Sequence, residues 1–118
     1  MKVNPGDVVF MRGYQFQEDT AASEHPALVL HTKGEKCLVA ICTDIRNRNK
    51  HANCIEIDYK AANLLKPTVV ICSKVGIVKN RNITRIIGSA SAHDADKISN
   101  IIADGYMNGE VAVFEQLK

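Results

Sequence analysis

The sequence predicts a mainly β domain with a C-terminal helix, a small barrel in architecture. Three observations carry this: short β-branched runs separated by turn residues, one stretch of helical periodicity near the C-terminus, and a length suited to one core. With 118 residues, 46% of them hydrophobic, the chain can build one compact unit and not two, so 1–118 is expected to be a single domain.

Asn4-Pro5-Gly6-Asp7 is a turn signal that feeds Val8-Val9-Phe10-Met11, a first strand. From Arg12 to Glu24 the chain is polar, with neither helical nor strand periodicity, and is expected to be a long loop, a lid over whatever lies at its ends. Ala27-Leu28-Val29-Leu30-His31 and Cys37-Leu38-Val39-Ala40-Ile41-Cys42 follow, with Gly34 between them, as a hairpin. Both are apolar on both faces, which predicts central strands and sets Thr43 and Asp44 at the open end of the second. A second loop over residues 46–53 leads to a short alternating strand, Cys54-Ile55-Glu56-Ile57. Thr68 to Ser73 and Val75 to Val78 read as one bent strand or two, and Ile83 to Gly88 as another. Ser91, with Asp94 three residues on, resembles a capping box, and Ala95, Ile98, Ile101 and Ile102 share one face of a helix expected to end near Gly105. Val111 to Phe114 is apolar enough to add a strand or to cover a partner.

Several function classes are excluded at this level. No run approaches the roughly 20 apolar residues of a membrane span, and the N-terminus lacks the apolar segment of a signal peptide, so the expectation is a soluble, cytoplasmic chain. Cys37, Cys42, Cys54 and Cys72 lie inside apolar runs, not in CxxC pairs, and are expected to be buried reduced thiols. His31, His51 and His93 have no spacing that suggests a metal triad, and neither metal nor cofactor is expected.

The net charge of +2 conceals an uneven distribution, because residues 31–85 hold eleven Lys or Arg against four Asp or Glu. Such a basic middle suits a polyanion, and equally suits a β-protein that keeps its strand edges soluble. The densest part is Arg46-Asn47-Arg48-Asn49-Lys50, where Arg46, Arg48 and Lys50 would track a phosphate backbone if the loop faces a site. His25, locked by Pro26 at the mouth of a strand, is a titratable group with a fixed backbone, suited to proton transfer near neutral pH. Glu24 beside it would tune it if the two side chains converge. Asp44 is either a second acid or an Asx-turn residue.

The order of these motifs resembles the MazF/PemK (Kid) family of toxin endoribonucleases, whose fold is an SH3-like barrel shared with CcdB. The resemblance rests on Gly6-Asp7-Val8-Val9, Pro26-Ala27-Leu28-Val29-Leu30, Ile41-Cys42-Thr43, Leu64-Leu65-Lys66-Pro67-Thr68-Val69-Val70 and Ile87-Gly88-Ser89-Ala90-Ser91, in order along most of the chain. It implies metal-independent cleavage of single-stranded RNA through the 2′-hydroxyl, a homodimer, and a cognate antitoxin partner. It also implies a site at Thr43 and at the residue before the Pro-Ala-Leu-Val strand, where the family usually has an arginine and this chain has His25. Ser73 and Lys74 fall where members carry a strand-end polar pair near the site, and Lys74 is placed to replace the missing arginine as a phosphate clamp. Three readings of His25 follow: an acid or base in its own right, the mark of a barrel that has lost catalysis and only binds RNA or peptide, or a structural hydrogen-bonding residue.

Overall fold

A computed structural model describes residues 2–12 and 25–115. Its strands are β1 (Asp7–Met11), β2 (His25–Lys33), β3 (Lys36–Asp44), β4 (Cys54–Glu56), β5 (Thr68–Lys79), β6 (Ile83–Ser89) and β7 (Ala112–Glu115), with one helix, α1 (Ala92–Met107). They form one seven-stranded sheet in the order β4-β5-β3-β2-β1-β6, with β7 paired to β5 off that path. β2 and β3 are central, as their two-sided apolar sequences predict. Of the expected loop from Arg12 to Glu24, residues 13–24, Glu24 among them, lie outside the described residues.

The turn into β1 has a clear cause. Pro5 presets its own backbone, Gly6 takes φ +93°, and the Asp7 amide closes the turn on the Asn4 carbonyl at 3.1 Å. The hairpin turn between β2 and β3 is tighter than expected, with Lys33 facing Lys36 across only Gly34 and Glu35, and Gly34 at φ +60°.

Alternation splits the strands' apolar residues into two clusters. One holds Val9, Met11, Ala27, Val29, Val39, Ile41 and Ile71. The other holds Val8, Leu28, Ala40, Val70 and Val75 and is covered by Ile98 and Ile102 of α1 and by Ile57 and Ala62 of the β4–β5 connection. Burying each of the Val, Leu, Ile and Met side chains among them contributes about 1.5–3 kcal/mol. The four thiols are unpaired, and burial pushes those of Cys42 and Cys72 up to about 12, so they stay protonated near neutral pH.

β5 is one strand with a large bulge. Between the Cys42–Val70 and Ala40–Val75 pairs β3 advances two residues while β5 advances five, leaving an arc that contains Ser73 and Lys74. The bulge bends the strand, so that its first part pairs with β4 and its last part with β7.

The outer edge of β6 meets the β4–β5 connection instead of another strand. Asn63, at φ +62°, donates its side-chain amide to the Ile87 carbonyl at 2.8 Å. Gly88 passes so close that a Cβ there would lie 2.5 Å from the Ala62 carbonyl oxygen and 2.9 Å from Asn63 Cβ. Both obstacles belong to a held loop, so Gly88→Ala is expected to destabilise the fold by roughly 1–3 kcal/mol, read as a lowered denaturation midpoint with an unchanged m-value.

At α1 the Ser91 hydroxyl accepts from the Asp94 amide at 3.1 Å, the first half of the expected capping box. Asp94 does something else with its carboxylate: it accepts the Asp58 amide at 2.8 Å and ties the helix start to the β4–β5 connection. The helix continues two residues past Gly105, where Val111 packs 2.9 Å from the position of an absent Cβ. The chain then turns at Gly109 and adds β7 parallel to β5, from Lys74–Ala112 to Ile77–Glu115.

Candidate functional site

β2 enters and β3 leaves the sheet at the same end. His25 and Thr43 lie two residues beyond the facing pair Ala27–Ile41 on either strand, so alternation sets both on one face at that end. The strand begins at His25 itself, opposite Met11 of β1. Thr43 faces Val69 of β5, and its Oγ1 accepts the Asn47 side-chain amide at 3.0 Å. That bond fixes the hydroxyl's orientation and leaves its own hydrogen free to donate.

Asp44 settles the alternatives left by the sequence in favour of the turn. Its carboxylate accepts the Arg46 amide at 2.9 Å, capping a 3-10 helix over Ile45–Lys50 that local periodicity did not reveal. The same carboxylate takes the Arg46 guanidinium in a fork, Nε at 3.1 Å and Nη2 at 3.0 Å, with Lys66 Nζ at 3.2 Å. These bonds, led by that of the Arg46 side chain, hold the Asp44 carboxyl well below the usual carboxylate range. Its folded pKa is depressed, so its stabilisation is complete above the unfolded value and is lost as pH falls towards the folded one. Thermal melts should therefore show the gap between Asp44→Asn and the parent narrowing as pH falls below the ordinary carboxylate range.

The remaining expected phosphate-binding residues are dispersed. Arg46 is committed to Asp44. Arg48 and Lys50 are exposed in the last turn of the 3-10 helix, which packs on β3, β5 and β4. Ser73 and Lys74 do not sit at a strand end, because β5 runs unbroken from Thr68 to Lys79. Ser73 lies in the bulge between the Cys42–Val70 and Ala40–Val75 pairs, and Lys74 faces Ala112 of β7.

Sequence reasoning passed over the group the structure does bring here. A cavity of about 560 Å3 opens at this end of the sheet, walled by Phe10, Pro26, Thr43, Asp44, Lys66, Thr68 and Arg85. Arg85 faces Phe10 across the β1–β6 ladder and lays its guanidinium over the ring, 4.6 Å from the centroid. Phe10 and Arg85 are seventy-five positions apart, so only the antiparallel return of β6 onto β1 could reveal the pair. Leu65 and Ile86, both exposed, border the same cavity. The cavity thus combines a permanent cation, a donor hydroxyl and an aromatic face; His25, one residue before Pro26, lies at the same end of the sheet but is not among the cavity's walls. Among the described residues, no three His, Cys, Asp or Glu side chains are grouped so as to hold a metal ion, and no helix is long and apolar enough to cross a membrane.

These features fall within a known family. Residues 4–105 match the family model described as PemK-like, MazF-like toxin of type II toxin–antitoxin system, and the chain belongs to that family. The mainly antiparallel sheet with one C-terminal helix agrees with its fold. No curated protein matches the chain. The family match ends inside α1 and leaves β7 outside it.

Proposed function

We propose that this toxin is a metal-independent endoribonuclease of single-stranded RNA that works in the cytoplasm as a homodimer without a cofactor and is restrained by a cognate antitoxin. The observation that carries the reading is the meeting of the oriented Thr43 hydroxyl and the Arg85 guanidinium on one open cavity, at the end of the sheet where β2 begins with His25. In this mechanism His25 takes the proton of a ribose 2′-hydroxyl, whose oxygen bonds to phosphorus as the bond to the 5′-oxygen breaks. Arg85 and the Thr43 hydroxyl donate to the non-bridging oxygens, where negative charge develops. The departing 5′-oxygen is protonated from solvent. The products are a 2′,3′-cyclic phosphate and a 5′-hydroxyl.

Arg85 thereby supplies the fixed positive charge that the residue before Pro26 does not. It approaches from β6, across β1, instead of from the start of β2. Phe10, with the guanidinium on its ring, offers a flat surface beside which a base can stack.

Expression in a bacterial host tests the reading. The chain alone is expected to arrest growth and to produce RNA fragments with 5′-hydroxyl ends, and co-expression of a small acidic protein encoded beside it is expected to relieve both. A barrel that only binds RNA or peptide would leave growth and RNA intact.

A further inference from the structure

We propose that the end of the sheet opposite His25 and Thr43 carries a second cationic surface, formed by Lys33, Lys36, Lys79 and Arg81, that holds the phosphodiester backbone of a single-stranded RNA engaged at the first site. The inference rests on the RNA reading above and extends it to a part of the molecule about one strand length away. β3 runs from Lys36 at this end to Asp44 at the other, nine residues or roughly 27 Å from first Cα to last.

Register places the lysines abreast. Lys33 of β2 faces Lys36 of β3, and Lys36 faces Lys79 of β5, so three ammonium-bearing residues stand side by side across three strands. Like charges directly opposite one another oppose sheet pairing, and a surface serving solubility alone is better built from interspersed signs. Arg81, exposed in the turn between β5 and β6, extends the row.

The surface is held, not fluid. The Asn80 amide donates to the Glu35 carbonyl at 2.8 Å, and its side-chain amide reaches the Gly34 carbonyl at 3.4 Å. Its side-chain oxygen accepts the Cys37 thiol at 2.7 Å. One asparagine thus clasps the two turns that present the cations.

The chemistry favours a nucleic-acid backbone over a protein. Residues 33–36 and 79–82 are Lys, Gly, Glu, Lys and Lys, Asn, Arg, Asn, with no apolar side chain to anchor a protein partner. Spaced cations alone suffice for a phosphate backbone. Glu35 and Glu115 supply the facing negative charge; Glu115, on the strand outside the family match, reaches Lys36 Nζ at 3.1 Å with both side chains about half exposed. Such a pair is weak and readily exchanged for a phosphate.

Binding of 2′-O-methyl RNA, which cannot be cleaved through the 2′-hydroxyl, separates the two surfaces by length. The triple variant Lys33→Gln, Lys79→Gln, Arg81→Gln is compared with the parent on an RNA of about 5 nucleotides and on one of about 16, the span of single-strand site sizes. On the long RNA its slope of log affinity against log salt is expected to be shallower by about 2, for three lost phosphate contacts. On the short RNA, affinity and slope are expected to stay those of the parent, which also shows that the variant is folded. Glu115→Gln is expected to tighten the long RNA only. An unchanged slope on the long RNA, an equal loss on both lengths, or a poly-glutamate affinity that alone responds to the variant would overturn the proposal. Failure of the parent to bind the short RNA, with the long RNA still sensitive to the variant, would sink the first site and leave this surface standing.

Discussion

His25→Ala is expected to lower the rate of RNA cleavage by roughly 10²- to 10⁴-fold, the range that removal of a positioned acid or base produces. Among the described residues the imidazole is the one titratable side chain at the start of β2, where pairing with Met11 and the ring of Pro26 hold its backbone still. The same variant should bind uncleavable RNA nearly as well as the parent. His25→Arg separates the readings further. If the barrel depends on a fixed cation at this position, arginine raises the rate; if proton transfer is the need, arginine is as poor as alanine.

Arg85→Ala is expected to cost roughly 10²- to 10³-fold in cleavage rate, the scale for removing a donor aimed at developing charge. Arg85→Lys should recover only part of it, since an ammonium is a point charge that neither forks onto two phosphate oxygens nor stacks on Phe10 as a plane. The side chain is exposed, so stability should move by no more than about 0.5 kcal/mol, which separates a lost contact with RNA from a lost fold. Single-turnover cleavage and a chemical denaturation curve, run on the same preparations, give both numbers. A full rate in Arg85→Ala would remove this residue from the mechanism and return the phosphate-clamp role to the start of β2 or to the 3-10 helix.

Much of the fold was legible because it follows from local chemistry. The β-branched runs that form β1 to β3, the Pro5-Gly6 turn and the Ser91 cap each act within a few residues, and each does in the structure what its sequence implies. The two-sided apolar character of β2 and β3 even fixed their central place in the sheet. What escaped depends on partners distant in sequence. Periodicity within residues 68–79 cannot show that β3 advances two residues while β5 advances five, and so cannot place Ser73 and Lys74 in a bulge. The Val111 to Phe114 run held nothing to say that its last three residues would pair in parallel with β5.

The site was half legible for the same reason. Thr43 and His25 announce themselves at strand ends, and register sets them on one face. Arg46 looked like a phosphate ligand because arginine in a polar loop usually is available; Asp44, two residues back, is placed to cap the turn and closes the fork. Arg85 looked like one charged residue on an ordinary strand. Its meeting with Phe10 requires the antiparallel pairing of β1 with β6, which no local pattern encodes. The row of lysines at the far end is a product of register as well, since Lys33, Lys36 and Lys79 become neighbours only once three strands are aligned.

The most direct measurement is incubation of the purified protein with a mixed-sequence single-stranded RNA in excess EDTA across pH 5–9, with the ends of the products identified. Cleavage that leaves 2′,3′-cyclic phosphates and 5′-hydroxyls, slowed at least about 100-fold in His25→Ala, is the result predicted here. Intact RNA at every pH, from protein that still melts cooperatively, would contradict the account.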